Sequence, residues 1–203
     1  MIGPHLVSAL AGLGFGLSLI IAIGAQNALV LRQGLRREHV GVVVLICALS
    51  DLLLITAGVA GMGALIARVG WLELAIRLLG TAFLVVYAAA AIRRMIKGES
   101  MPVDSAEPAP VGRVVAAVVA VTWLNPHVYI DTVMLLGSVG NSQPHPWSFA
   151  VGAGIGSIVW FTALGYGARA LRGFFASKRS WQILDGAIAA VLILIAIKLA
   201  TGH

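Results

Sequence analysis

The chain has 203 residues, 60% of them hydrophobic and only 11% charged, where a soluble domain would carry about a quarter charged residues. With a mean hydropathy of +0.98, that balance excludes a soluble globular domain and implies an all-α, polytopic membrane protein. The net charge of +6 and pI near 10.3 would suggest nucleic acid in a soluble protein, but here the basic residues fall in short loops, as the positive-inside rule describes. The partner is therefore the lipid bilayer and not nucleic acid. The single Cys47 sits in an apolar run and excludes an internal disulfide or a thiol-redox pair.

The N-terminus has no basic n-region and no evident cleavage site, so it reads as the first span rather than a removed signal peptide. Span one covers residues 6–31, with Gly12, Gly14, Gly16 and Ser8 spaced to let a neighbouring helix approach. Gly24-Ala25-Gln26-Asn27 places two side-chain amides in this apolar segment. They mark either an unwound turn or amides bonding across to another helix. Residues 32–39 form a short basic loop. Span two, residues 40–66, contains Asp51, and a carboxylate at that depth costs about 2.5–3.5 kcal/mol on the insertion scale. Arg68 and Gly70 mark a turn before span three, residues 71–92, where Glu73 and Arg77 are spaced to pair. Residues 98–113, with three prolines and mixed charge, form the one true linker.

Span four, residues 114–137, contains Trp123-Leu124-Asn125-Pro126-His127-Val128-Tyr129-Ile130-Asp131-Thr132. Asn caps a helix with its side-chain oxygen, and Pro suits the first helical position because its missing N–H had no partner there. The spacing predicts a helix that breaks near Leu124 and restarts at Pro126 in mid-membrane. His127 and Asp131 lie four apart on one face, and ionisable groups at this depth are functional by default. Span five, residues 147–168, is uncharged, with Gly152, Gly154, Gly156 and Ser157. A basic loop over 169–179 leads to span six, residues 181–200. Its Asp185 is expected to be structural, close enough to one end to reach the headgroups, and Lys198 to snorkel at the other end.

Six spans divide the loops into two sides. One carries eleven of the fourteen basic residues: Arg32, Arg36, Arg37, Arg93, Arg94, Lys97, Arg113, Arg169, Arg172, Lys178 and Arg179. This puts the basic loops in the cytoplasm and both termini outside; the alternative count is five spans. The linker separates residues 1–97 from 114–203, two three-helix halves whose odd span number makes them inverted repeats. Each half opens with a broken helix, and paired broken helices point to a transporter's substrate site.

Backbone groups freed at a break must be satisfied by protein, water or ligand. A restarting helix presents N–H groups that suit a carboxylate, and an ending one presents carbonyls that suit an ammonium. Asp51 and Asp131 add fixed negative charge. Together these fit an α-amino acid with a cationic side chain, bound by Gln26, Asn27, Asp51, Asn125, Pro126, His127, Tyr129 and Asp131. Asp51, Asp131 and His127 are the groups to couple transport to a proton or ion. No cofactor is implied.

At these residues the chain resembles the lysine/arginine exporter (LysE) family. The stretch from Gly24 to Gly34 is similar to that family's first signature. Ser50-Asp51 and the stretch from Trp123 to Thr132 are similar to the next two. Related neutral amino-acid exporters usually carry Gly-Pro-Asn in the first break and Asn-Pro-Lys in the second. Ala25-Gln26-Asn27 and His127 depart from that pattern, toward the basic amino-acid branch. The resemblance implies export of L-lysine, L-arginine or close analogues across a bacterial inner membrane, driven by a proton or ion gradient. Cadmium-resistance relatives show that substrate class shifts within the superfamily, although one Cys and few membrane His make a soft-metal site weak here. An enzyme is disfavoured, with no H-E-x-x-H, G-x-S-x-G or S-x-x-K. An assembly subunit would need no carboxylate in two spans. Small-residue faces allow a homodimer.

Overall fold

In a bilayer each backbone N–H and C=O must be satisfied within the protein, so apolar segments of this length become helices. The computed structural model describes residues 3–21, 24–63, 68, 70–97, 109–171, 173 and 177–201, and among them there is no strand. The helices are α1 (Pro4–Ile20), α2 (Ala25–Arg36), α3 (Val40–Met62) and α4 (Gly70–Lys97), then α5 (Val111–Trp123), α6 (residues 126–141), α7 (Pro146–Gly167) and α8 (Lys178–Thr201). Four stretches are long and apolar enough to cross a membrane, in α3, α4, α7 and α8; α1 and α2, bent by 82°, make a fifth if taken as one span. The chain is thus a multi-pass membrane protein. Its outer surface fits that solvent: Leu45, Leu49 and Leu53 form a stripe on α3 that is 51–61% exposed, at a spacing that keeps them on one face.

Small residues set much of the packing, although Gly14, expected to take part, is exposed and meets nothing within 4 Å. Gly12 of α1 lies against the backbone of Phe149, and Gly152 of α7 against that of Ala9. A Cβ at either would collide, so the two helices touch backbone to backbone. They run in the same direction: His5 meets Ser148 at one end, and Leu13 and Leu17 meet Gly156 further along. α5 likewise runs alongside α3, from the His39–Ala109 contact to a Trp123–Ser50 hydrogen bond. α3 and α7 are antiparallel, with Val40 and Val44 at Gly165 and Leu52 at Gly154. So are α4 and α8, whose contact starts with Gln182 on Met95 and ends with Ala200 near Thr81.

Several boundaries differ from the sequence reading. The expected loop over residues 32–39 is mostly helix. α2 continues to Arg36, and the turn is made by Arg37 and His39, whose φ of 58° and 51° reverses the chain. α5 begins at Val111, inside the expected linker. Near its end α3 winds as a π-helix over Gly58–Met62, where Gly61 takes φ 96°, a conformation open to glycine. Linker residues 98–108 lie outside the described residues, as do the side chains of Glu73, Arg77, Pro126 and Lys198.

Candidate functional site

The second break forms as its sequence predicts. α5 ends at Trp123, and α6 restarts at Pro126 with Asn125 before it. The Asn125 Oδ1 accepts the His127 N–H at 3.1 Å, capping one of the restarted helix's free donors. Beyond Val128 the helix widens to a π-helix over Tyr129–Leu136, a rare winding that recurs at functional sites. Asp131 and Thr132 lie in it. His127 Nδ1 is 2.6 Å from Asp131 Oδ2, so the two residues expected on one face pair across one turn.

The first break lies slightly upstream of the expected stretch. Gly24 is extended and α2 starts at Ala25, so Gln26 and Asn27 occupy its first turn rather than an unwound segment. Asn27 also bonds to neighbours: its Nδ2 donates to the Ile20 carbonyl at 2.6 Å, and its Oδ1 accepts from the Trp160 indole at 3.1 Å. Gly24 supplies no side-chain cap to α2.

The two breaks share a device. In the first, a side chain of the restarting helix caps the Ile20 carbonyl. In the second, the Tyr129 hydroxyl donates to the Trp123 carbonyl at 2.7 Å. These two carbonyls, expected to be free for an ammonium, are therefore occupied. Tyr129 braces the break and is not among the residues that line the cavity described next.

Both breaks open on one cavity of about 100 Å³, lined by Gly24, Gln26, Asn27, Asp51, Asn125, His127, Asp131 and Thr132 among polar and backbone groups. Leu84 of α4, Phe161 of α7 and Leu192 of α8 are among its apolar lining residues. Its volume is below the few hundred Å³ typical of drug-sized ligand sites, so it suits a small solute. Six of the eight sequence-predicted site residues thus share one space.

Asp51 is 5% exposed. The Ser157 hydroxyl donates to its Oδ2 at 2.8 Å. Gln26 sits beside it, yet the Gln26 Nε2 has no partner of hydrogen-bond geometry. Among the described residues no Lys or Arg pairs with Asp51 or lines the cavity. A buried carboxylate without a cation is costly, and this one lies where a ligand could supply it.

Sequence reasoning missed Ser157, which reads as one more small residue in a glycine-rich stripe. It also missed Trp160 and Trp123, whose indoles reach polar groups on other helices. Asp185 does not reach the headgroups. It is 3% exposed and pairs with Arg94 at 3.1 Å and Arg32 at 3.8 Å.

The match to a family model decides the classification. Residues 17–203 match the LysE type translocator model. The chain belongs to the LysE type translocator family. It is a transporter and not an enzyme. A Mycobacterium tuberculosis protein provisionally named as an amino-acid transporter is 43% identical over 89% of the chain and 90% of that protein. The arginine exporter protein ArgO of Klebsiella pneumoniae is 39% identical over 93% of the chain and 91% of its own length, and that of Salmonella schwarzengrund matches equally. No solved structure matches the chain.

Proposed function

We propose that this LysE type translocator is a secondary active exporter of basic amino acids, L-arginine and L-lysine, across the bacterial inner membrane in exchange for protons. The observation that carries the proposal is Asp51: a buried carboxylate on the wall of a small polar cavity, with no basic partner among the described residues. The arginine-exporting relatives support the substrate class.

In this reading Asp51 and Asp131 hold the side-chain cation or, alternately, a proton. His127 bonds Asp131 and relays its proton. The N-terminal end of α2 and the unpartnered Gln26 Nε2 receive the substrate carboxylate. Asn27, Asn125, Pro126 and Tyr129 hold the two breaks in register. Exchange of a cation for a proton moves no net charge. Unpaired export would cost about 2.3 kcal/mol per 100 mV of inside-negative potential.

The six-span inverted repeat belongs to this proposal. Exchanging the halves matches α3 with α7 and α4 with α8, both antiparallel pairs. It also matches the α1–α7 contact with the α3–α5 contact, both parallel. An inverted repeat requires that pattern. The ends carrying Arg32, Arg94, Arg113 and Lys178 gather at one end of the bundle, which supports cytoplasmic basic loops and outward termini.

Proteoliposomes loaded with radiolabelled L-arginine test this reading. Efflux should accelerate when the outside is made acidic, and unlabelled lysine should compete while leucine and cadmium do not. Absence of arginine flux, or equal competition by leucine or cadmium, would overturn it.

A further inference from the structure

Asp185 is spent on neither the cavity nor the breaks, yet it is buried among three helices. It lies on α8 seven residues before Leu192, a cavity-wall residue, hence on the same face and about 10 Å nearer the helix's N-terminal end. Arg94 of α4 meets it tightly, its Nε donating to Asp185 Oδ1 at 3.1 Å. Arg32 of α2 meets it loosely, at 3.8 Å, and also lies 5.6 Å over the Trp181 ring. Between this cluster and the cavity stands a layer that includes Ala28 of α2, Ala88 and Ala91 of α4 and Ala189 of α8, with Ile188 and Tyr87 packed among them.

We propose that Arg32 and Asp185, backed by Arg94, form the cytoplasmic gate of the transport path, with α2 as its moving part. The inference rests on the reading of the cavity as the substrate site. α2 is the suited element because it is a short helix set off from α1 by a break, so it can swing without unwinding a long span. The longer ion pair ties it to α8, while the shorter one joins α4 to α8, which are already packed along their length. Swinging α2 away withdraws Ala28 and Arg32 together, since they lie one turn apart on one face. Charge supports the assignment. When the gate is shut, two guanidiniums face one carboxylate, and the surplus positive charge repels a cation. With Arg32 withdrawn, the mouth keeps the neutral Arg94–Asp185 pair.

The test is thiol accessibility, measured without substrate. An A28C variant is made in a C47S background and labelled in inside-out vesicles with a membrane-impermeant methanethiosulfonate. Adding R32Q should raise the labelling rate about fivefold, the population shift that losing one partly exposed pair supports. R32K, which keeps the charge, should stay near the parent rate. Unchanged labelling in both R32Q and D185N would overturn the gate. A second arm joins R32C to D185C through two disulfides with a short bis-methanethiosulfonate. Arginine efflux should stop and return on reduction, and undiminished efflux from the linked protein would overturn the proposal. Altered labelling with no arginine flux in the parent would sink the substrate reading alone, whereas normal flux with unaltered labelling would sink the gate alone.

Discussion

At the scale of single residues, the proposed mechanism rests on Asp51. Among the described residues its strong donor is Ser157, and a hydrogen bond to a charged group is worth about 1.5–3 kcal/mol. Ser157→Ala should therefore slow arginine efflux by about tenfold, and Asp51→Asn should abolish it, both with unaltered expression and elution volume. Full efflux in the Asn variant would remove Asp51 from the mechanism. The sequence discloses Asp51 because a lone carboxylate in an apolar run is conspicuous. It hides Ser157, since the partnership spans helices far apart in the chain. Asp185 is hidden for the same reason. One turn inside a span it reads as a headgroup contact, and only Arg32 and Arg94, arriving from two other helices, explain its burial.

At the scale of elements, the two breaks differ in how plainly local chemistry encodes them. Asn125-Pro126 is a cap followed by a residue without an N–H, so helix end and helix start are both written in adjacent positions, and the structure agrees. Gly24 offers no side-chain cap, which is why the first break is legible only to within a turn. The π winding over Tyr129–Leu136 leaves no mark in the apolar pattern. Asn125→Ala should cost about 1 kcal/mol of cap stability, lowering the melting temperature of the detergent-solubilised protein by about 2–4 °C. An unchanged melting temperature would show that the cap contributes nothing to holding the restart.

At the scale of the whole molecule, the proposed likeness between halves rests on contacts, not on matching residues. Asn27 and Tyr129 are chemically different, yet each closes a carbonyl at its own break. Hydropathy and composition give the apolar helices and the multi-pass membrane class. They cannot give the backbone contact of α1 with α7, because a glycine stripe does not name its partner. The most direct measurement is equilibrium binding of L-arginine to the purified protein by calorimetry. Saturable binding to the parent is expected, lost in Asp51→Asn and kept in Arg169→Gln, whose side chain is exposed away from the cavity. No binding to the parent, or binding unaffected by Asp51→Asn, would contradict a substrate site between the breaks.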